Sequence, residues 1–322
     1  MAMGEIGRPG WLDAGRYPHA ARMIAAVLAD WPEHERFLSE SFARRDAALL
    51  HSTDRVAATI LAVIGMDEAL RRYAGDYRFL CGRMLEEELH FRRSGHYRLS
   101  RFADALAQVY DDPVFMDRYM NFLLLTQVLL SNHAEAIANF EQSYLPRLPA
   151  GTRHLEIGPG HGLLLHSAAQ SPQIATLTGW DISATSIAQT RACLDAMAVK
   201  KPVALVLQDL FAAKPASSAD AGFGSVVLAE ILEHLEDPHA ALRAVSGHMA
   251  PGGWLWVHVP INSPAPDHLY LLRTPEAAVD LVRSAGFEPV EQAFFPMSGQ
   301  TLERARKRDL TISAVIHARK PA

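Results

Sequence analysis

Residues 154–162 read HLEIGPGHG, a short apolar run that leads into glycines at every second position. Gly158, Gly160 and Gly162 are followed by Leu163, where a helical pattern begins. A ligand that lies across the end of a strand must touch the backbone there, and Cβ atoms would obstruct it. The amides at the start of the helix can also receive a carboxylate or a ribose oxygen. The stretch therefore predicts a strand, a ligand-binding turn and a helix.

The spacing of this turn argues against two common nucleotide sites. A dinucleotide fingerprint, G-x-G-x-x-G/A, that started at Gly158 would need Gly or Ala at position 163, which is Leu163. The sequence also contains no G-x-x-x-x-G-K-[ST] phosphate loop. These departures point away from NAD and from ATP.

Two acidic residues close the next apolar runs. Asp181 ends residues 176–181, about 20 residues after the glycine turn, where a carboxylate can bind the ribose hydroxyls of an adenosine. Asp209 follows residues 203–208 and can accept a hydrogen bond from an adenine amino group. Each aspartate alone could equally be a turn residue or a helix cap. Their order behind the glycine turn favours a ligand site.

The pattern of the chain changes near residues 146–151. Helical patterns dominate before this point, whereas short apolar runs alternate with helical segments after it. Such alternation predicts a parallel sheet with helices on both faces. We predict an all-α domain over residues 1–148 and an α/β domain over 149–322, with helices between its first five strands. The predicted strands lie near 153–158, 176–181, 203–208, 225–230, 254–259, 287–294 and 311–318.

Within the first domain, the starts of two helices can be predicted. Asp54 is a plausible N-cap for a helix over residues 54–64. An acidic cap before proline, Asp112-Pro113, opens another helix that we expect to continue to about Tyr144. In the second domain, loop-like stretches fall within residues 202–220 and 262–275, which are rich in Pro, Ser, Ala and Asp.

Composition bounds the class of protein. The chain has 322 residues and a net charge of −5, and this acid excess argues against non-specific binding of nucleic acid. The two cysteines, Cys81 and Cys193, suit a reducing cytoplasm. The longest apolar run, residues 122–130, is shorter than the roughly 20 residues of a membrane span. The N-terminus lacks a signal-peptide pattern, so we expect a cytoplasmic protein without a membrane partner.

Residues 152 to about 318 resemble a class I methyltransferase dependent on S-adenosylmethionine (SAM). The stretch EIGPGHG at 156–162 matches the first motif of that family, WDIS at 180–183 the second-strand acid, and QDLF at 208–211 the third-strand acid. LAEILEHLEDP at 228–238 resembles the fourth-strand motif of members that act on small molecules. MAPGG at 249–253 resembles the turn into the fifth strand.

This resemblance implies a Rossmann-like, seven-stranded SAM-binding sheet whose last strand is antiparallel. It also implies the role of each cofactor-binding residue. Glu156 supports the methionine end, and Gly158, Gly160 and Gly162 approach the cofactor. The remaining contacts would come from Asp181 at the ribose, Ile182 against the adenine, Asp209 and Leu210 around the base, and Glu230 facing the methionine portion or the acceptor.

Methyl transfer from a sulfonium is an in-line displacement. Alignment of the reactants can supply up to ~7–11 kcal/mol of the barrier in favourable models, and a general base helps when the acceptor is a hydroxyl or an ammonium. Our candidates for the base or for an orienting group are Glu230, His133, Tyr77 and His268. Since the chain has 15 histidines, a structural role competes for each of them. We predict no metal.

We expect the helical N-terminal domain to act as a lid that excludes water and shapes the acceptor pocket. Packing between the domains is the other interpretation of its polar residues. Besides Tyr77 and His133, the candidates are Tyr73, Asp76, Arg78, Gln127, Asn132 and Asn139.

The main functional hypothesis is methyl transfer to a small-molecule acceptor, in secondary metabolism. One alternative is a SAM cyclase that forms azetidine-2-carboxylate and releases methylthioadenosine. Another is nucleic-acid methylation, which predicts a basic face and often an Asn/Asp-Pro-Pro-aromatic tetrad where this chain reads AEILEHLEDP. A non-catalytic SAM-binding protein is a further alternative, and whether the protein is a homodimer stays open.

Overall fold

The computed structural model describes residues 10–213 and 222–322. The last part of the loop-like stretch expected over 202–220 and the first nine residues lie outside these ranges. The chain divides into two compact units. The helical unit comprises the chain up to Glu135 together with Pro264–His268 and Phe295–Leu310. The sheet unit comprises Ala136–Ser263, Leu269–Phe294 and Thr311–Ala322.

These units differ from the single break at 148/149 that the sequence pattern indicates. The sheet unit takes residues 136–148, ahead of that break, and two short pieces of the C-terminal half group with the helices. A sequence pattern shows where strands begin, but it does not show which unit a helix or loop packs into. The lid and catalytic roles assigned to the two domains stay predictions.

Helices and strands follow one another along the described residues. The α-helices are α1 (Pro18–Asp30), α2 (Glu35–Phe42), α3 (Ala47–Ile64), α4 (Asp67–Ser94), α5 (Phe102–Ala105), α6 (Pro113–Leu129), α7 (Ser131–Asn139), α8 (Leu163–Gln170), α9 (Ala184–Ala196), α10 (Pro238–His248), α11 (Pro275–Ser284) and α12 (Leu302–Lys307). The strands are β1 (Thr152–Ile157), β2 (Ile174–Asp181), β3 (Val203–Leu207), β4 (Phe223–Ala229), β5 (Met249–Ile261), β6 (Glu288–Pro296) and β7 (Ile312–Arg319).

The cap of α3 differs from the prediction. The Asp46 side chain accepts a hydrogen bond from Leu49 N, so the helix begins at Ala47. Asp54 instead lies inside α3, and its Oδ1 accepts from the backbone N of His19 and of the next residue, both at 2.9 Å. The prediction that Asp54 caps its own helix is therefore wrong. Its carboxylate receives amides at the start of α1, a partner in space that local periodicity cannot show.

The long helix expected after Asp112 is divided. Asp112 caps α6 as predicted, but Leu130 is extended, with φ −94° and ψ 130°, and α7 begins after it. The last two carbonyl groups of α6 are bound by side chains from elsewhere in the helical unit. Arg45 Nη1 donates to the first at 2.9 Å, and Ser41 Oγ donates to the second at 2.6 Å. These bonds satisfy carbonyls that would otherwise be buried without partners, so the helix can end here.

The seven strands of the described residues form one sheet in the order β3-β2-β1-β4-β5-β7-β6. β1 pairs in parallel with β2 and β4, and β7 pairs antiparallel with β5. The predicted α/β fold and its antiparallel last strand are confirmed. Helices follow β1, β2 and β4 as predicted, whereas the described part of the β3–β4 connection contains none.

The strand order places the candidate site. From β1 the chain passes to β2 on one side of the sheet, and it later returns to add β4 on the other side. Ligands bind at such switch points, outside the carboxyl ends of the parallel strands. The centre of the sheet is packed into the core here, because Val226, Val227 and Leu228 of β4 are fully buried. The edge above β1, β2 and β4 is therefore where functional side chains should gather.

Among the described residues, α3 is long and apolar enough to cross a membrane by length and composition, and a third of its 18 residues are buried. The sequence prediction considered only residues 122–130 and overlooked this segment. Length and composition alone select core helices of soluble proteins and membrane spans alike. Within the helical unit, α3 buries Ala57, Ile60 and Leu61.

Candidate functional site

The glycine turn has a backbone that favours glycine at each of its three positions. The φ angles of Gly158, Gly160 and Gly162 are 63°, 52° and 75°, all in the left-handed region. Gly162 N donates to Pro159 O at 2.7 Å, which closes the turn. The positions differ in their surroundings. A Cβ on Gly158 would overlap Ile231 Cδ1, whereas a Cβ on Gly160 would meet nothing within 4 Å. Gly160 therefore faces open space in which a ligand can lie against the backbone.

Asp181 stands at the carboxyl end of β2, beside an exposed apolar side chain. Its Oδ1 accepts a hydrogen bond from Ser183 N at 2.8 Å. Burial raises the pKa of this carboxyl, and the amides of Ser183 and Ile182 oppose that rise. Ile182 is 63% exposed. A carboxylate next to an uncovered aliphatic face can bind the ribose hydroxyls and the flat base of an adenosine.

Asp209 and Leu210 follow β3, whose end lies next to that of β2, since Gln208 N donates to Asp181 O at 2.8 Å. Asp209 is exposed, and its Oδ1 accepts from Phe211 N at 2.8 Å. Leu210, which we expected beside the base, is buried, whereas Phe211 is more than half exposed. Sequence reasoning missed Phe211, although it belongs to the quoted QDLF stretch.

Glu156 is a buried carboxyl at the end of β1, 3% exposed. One interaction is a hydrogen bond from the backbone of Leu165. Its Oε2 has no hydrogen-bond partner among the residues that the structure describes. Burial raises the pKa of Glu156 well above its usual range. A cationic ligand group above the glycine turn would offset this desolvation, which fits the methionine end of SAM.

Glu230 is the first residue after β4, and its backbone has a φ of +54°, which is uncommon for a residue with a Cβ. Glu230 N donates to His258 O of β5 at 2.8 Å. Its Oε1 lies 3.0 Å from Nε2 of the same histidine. The Glu230 side chain is 30% exposed, whereas that of His258 is 6% exposed. No pattern in the sequence paired His258 with Glu230.

Tyr77 lies in the core of the helical unit. It is 1% exposed, and its Oη lies 3.0 Å from Nε2 of His34. Its ring stacks on Phe122 with a centroid distance of 5.6 Å. Burial raises the pKa of Tyr77 well above its usual value. These contacts are those of a packed core residue.

His133 and His268 also belong to the helical unit. His133 Nδ1 lies 3.3 Å from Gln127 Nε2. His268 is buried and meets the ring of Tyr97 edge-on, at 5.8 Å between centroids. Of the catalytic candidates, only Glu230 belongs to the sheet unit that also holds the cofactor candidates.

Asp267, next to His268, is almost fully buried and accepts hydrogen bonds from two tyrosines. Tyr119 Oη donates to its Oδ1 at 2.9 Å, and Tyr110 Oη donates to its Oδ2 at 3.1 Å. Sequence reasoning missed both tyrosines. Because they lie about 150 residues from Asp267 in the chain, at separations of 148 and 157, no spacing pattern could have linked them.

Three of the other proposed lid residues form hydrogen bonds within their own units. Asp76 accepts from Asn121 Nδ2 at 2.9 Å, and Arg78 donates to Asp30 O at 2.7 Å. Asn139, which falls in the sheet unit, has its Oδ1 within 3.2 Å of Trp256 Nε1 and 2.7 Å of His317 Nε2. Tyr73 and Gln127 are half-buried, and Asn132 is buried.

The segment after Glu230 contains Glu233 and His234, two residue types that can bind a metal. Glu233 Oε1 lies 3.8 Å from His234 Nε2, and the Glu233 backbone oxygen accepts from Leu269 N and Tyr270 N. The absence of a metal stays a prediction.

Comparison with known proteins shows to which protein family the chain is similar. A family model described as a methyltransferase domain matches residues 129–308. A ubiquinone biosynthesis O-methyltransferase of Chromobacterium violaceum is 32% identical over 110 residues, 33% of this chain and 44% of that protein. The protein of the same name from Xanthomonas axonopodis pv. citri is 35% identical over 117 residues, 36% of this chain and 46% of that protein. The chain thus spans less than half the length of these relatives.

A third protein of that name, from Ralstonia nicotianae, is 25% identical over 192 residues, 53% of this chain and 78% of that protein. Solved structures with a similar fold include the N-methyltransferase NodS of Bradyrhizobium japonicum, in complex with S-adenosyl-l-homocysteine. It has a TM-score of 0.43 and 18% identity, over 66% of this chain and 90% of that one. A structure described as a putative sarcosine dimethylglycine methyltransferase from Galdieria sulphuraria has a TM-score of 0.47 and 9% identity, over 59% and 85%.

Proposed function

We propose that this chain, which belongs to the class I SAM-dependent methyltransferases by its match over residues 129–308, methylates a hydroxyl group of a small molecule. The family and its cofactor are the premise. The hydroxyl acceptor is our inference from the relatives named as O-methyltransferases. Secondary metabolism as the pathway and the cytoplasm as the location stay predictions.

The observation that carries the cofactor site is the group of features at the carboxyl ends of β1 and β2. Gly160 leaves open space beside the backbone, Asp181 offers a carboxylate next to exposed Ile182, and Glu156 holds a buried carboxyl without a full set of partners. An adenosine linked to a cationic amino acid needs these three kinds of group. The residues present therefore fit SAM.

When bound, SAM supplies a methyl group already activated by the positive sulfur. The chain's own residues bind and orient. The glycine turn leaves space for the ligand to lie against the backbone, and Asp181 accepts hydrogen bonds from the ribose hydroxyls. Glu230 offers a carboxylate toward the methionine end, and a cation bound there would also favour the ionised form of buried Glu156, whose pKa is raised by burial. Alignment of the acceptor oxygen with the methyl group is the main catalytic requirement.

The acceptor oxygen loses a proton as its bond to the methyl group forms. Glu230 is the candidate to take this proton, because its partly exposed carboxylate belongs to the same unit as the cofactor residues. Tyr77, His133 and His268 remain candidates for orienting roles through the helical unit. We propose that this unit covers the site and excludes water. Protection of α1 to α6 from hydrogen exchange on addition of S-adenosylhomocysteine (SAH) would support that role.

The test incubates the protein with SAM, first alone and then with matched panels of hydroxylated, amine and thiol small molecules and with DNA and RNA. We expect SAH only in the presence of a hydroxylated small molecule, measured by mass spectrometry. Methylthioadenosine from SAM alone would instead establish the cyclase alternative. Methyl groups on nucleic acid, or on nitrogen or sulfur acceptors, would refute the proposed acceptor class.

A further inference from the structure

The outward face of α4 carries apolar side chains that the rest of the helical unit leaves largely exposed. Phe79 is 40% exposed, Leu85 57% and Leu89 47%. The opposite face of the helix buries Tyr77 and Leu80 in the core of the unit. At about 100° per residue, the three exposed side chains fall within one stripe about 120° wide. Exposed apolar surface of this kind is typical of a face that packs against another molecule.

Two glycines, Gly75 and Gly82, lie on the same stripe, one heptad apart in the interior of α4. Glycine inside a helix lowers the stability of the helix relative to alanine. The packing of the described chain does not require glycine here, since a Cβ on either residue would meet nothing within 4 Å. A glycine on an outward face lets a second helix approach closely. A helix from another molecule would therefore explain why both positions lack a side chain.

The pattern along the stripe matches itself when two copies of α4 run antiparallel. With Gly82 of one copy opposite Gly82 of the other, Leu89 faces Gly75 of the second copy and fills the space above it. In the same register Leu85 packs against the Phe79 ring of the second copy. A two-fold axis repeats both contacts, so one face of the helix provides both sides of the interface.

Charges at the border of the stripe favour the same arrangement. In the antiparallel pair Arg78 of each copy faces Glu86 of the other, whereas parallel helices would bring like charges together at both positions. The two side chains are 51% and 57% exposed. Each also has a partner within its own chain, since Arg78 Nη1 donates to Asp30 O at 2.7 Å and Glu86 Oε2 accepts from Arg83 Nη1 at 2.5 Å.

We propose that α4 forms the interface of a homodimer in which two copies pack antiparallel about Gly82. The second molecule is a copy of this chain, because the face is complementary to itself in size and in charge. The contact from Gly75 to Leu89 is about 21 Å long, so it is smaller than a standard protein interface. Exposed Arg71 and Arg93 meet at its two ends, and this like-charge contact also limits the affinity. We expect a Kd of about 1–100 µM. The inference does not depend on the proposed function.

Sedimentation equilibrium of the full chain tests the dimer at concentrations from about 1 to 500 µM. Leu85→Asp should weaken the dimer about 10-fold or more, because a carboxylate would replace each apolar contact with Phe79. The matched control is Val290→Asp, which alters a side chain of the sheet unit that is 51% exposed. It should leave Kd unchanged.

Gly82→Leu separates association from the stability of the helix. Leucine favours a helix over glycine, so the midpoint of urea unfolding should rise. The same side chain would hold the two helices apart at the axis, so Kd should increase about 10-fold or more. A role of Gly82 within one chain alone would not change the two measurements in this way.

Exchange of the two border charges tests the register of the helices. Arg78→Glu and Glu86→Arg should each weaken the dimer about 5- to 10-fold, because like charges then face each other twice. The variant with both changes restores opposite charges, and its Kd should return to within about 3-fold of the unaltered value. The bonds to Asp30 and Arg83 remain lost in that variant, so its recovery reports only the contact between copies.

Cysteine crosslinking measures the direction of the helices. In Gly82→Cys the two thiols lie at the axis and should form a disulfide on mild oxidation, detected as a species of doubled mass. Gly75→Cys is its control, because one heptad shifts the two positions to about 21 Å apart, beyond the roughly 7 Å that a disulfide spans. The unaltered protein gives the baseline, since Cys81 is half-buried and Cys193 is buried.

A chain that stays monomeric up to about 500 µM would overturn the inference, and so would a dimer that Leu85→Asp and Gly82→Leu leave intact. Crosslinking of Gly75→Cys as readily as Gly82→Cys would refute the antiparallel order. Circular dichroism checks that each variant is folded, and Gly82→Cys carries the test by itself if a charged variant does not fold.

Discussion

Alanine at Gly158 should mainly lower the stability of the protein, whereas alanine at Gly160 should mainly weaken the binding of SAM. Both residues have left-handed backbones, so either substitution introduces strain of about 1–2 kcal/mol. Only at Gly158 does the new Cβ overlap a neighbour, Ile231 Cδ1. Because Cδ1 is the far end of a flexible, half-buried side chain, Ile231 can shift to relieve the overlap, and the added cost is about 0.5–1.5 kcal/mol. We therefore expect Gly158→Ala to lower the free energy of unfolding by about 1.5–3.5 kcal/mol, and Gly160→Ala by only about 1–2 kcal/mol.

Ligand binding should show the reverse order. The Cβ of Gly160→Ala enters space that is open in the free protein, which we assign to the cofactor. Because a bound ligand would have to give way to that methyl group, SAM affinity should fall about 10-fold or more. Urea unfolding followed by fluorescence and circular dichroism measures stability, and calorimetry with SAM measures affinity.

A second substitution isolates the steric part of the Gly158 effect. Ile231→Val removes the Cδ1 atom that the new Cβ would overlap, at a cost of about 0.5–1.5 kcal/mol on its own. In the double variant the overlap is gone and the backbone strain remains, so the two changes should be less costly together than their sum. Additive costs, or equal losses of stability at Gly158 and Gly160, would refute the packing argument. Unchanged SAM affinity in Gly160→Ala would refute the assignment of the cofactor to this turn.

Three further predictions concern charge and buried polar groups. Asp181→Asn keeps an acceptor for Ser183 N but removes the charge, so SAM affinity should fall about 10- to 100-fold by calorimetry; an unchanged Kd would contradict the ribose role. Arg45→Met should cost about 1–3 kcal/mol in urea unfolding, because the Val128 carbonyl loses its donor in a buried site, and a loss within error would show that water replaces it. Burial lowers the pKa of His154 from 6.5 to about 3. As the pH is lowered from 6.5 to 4, the unfolded chain therefore takes up a proton at this position that the folded chain does not. The free energy of unfolding should decrease by about 1.4 kcal/mol for each pH unit of that change, from this group. His154→Phe should reduce that slope, and exposed His96→Gln serves as its control.

The site shows which features short stretches of sequence can reveal. The glycine turn, Asp181 and the acid after β4 were identified because each needs only a strand, a turn and one residue type at its end. Their alignment along one edge followed from the parallel sheet, in which carboxyl ends meet. The place of Leu210 beside the base stays a prediction, and the structure adds that Leu210 is buried whereas its neighbour Phe211 is exposed. Two neighbouring residues can differ in which side chain is exposed, and the motif alone does not show which of them it is.

Helix ends were less predictable for the same reason. Asp112 caps α6 through its own neighbours, so its role was visible in the sequence. The Asp54 carboxylate accepts hydrogen bonds from backbone amides 34 and 35 residues away. The end of α6 depends on hydrogen bonds from the side chains of Arg45 and Ser41 to its last carbonyl groups. In each of these cases the partner is near in space and distant along the chain.

By itself, the sequence determined the α/β class, the strands, the glycine turn and the cofactor, because backbone conformation and hydrophobic periodicity are set within a few residues. The tertiary structure decided which side chains meet. It alone paired Glu230 with His258 across two strands and brought Tyr110 and Tyr119 to Asp267. These contacts depend on strand register and helix packing over long separations, and no local pattern of residues encodes such a distance.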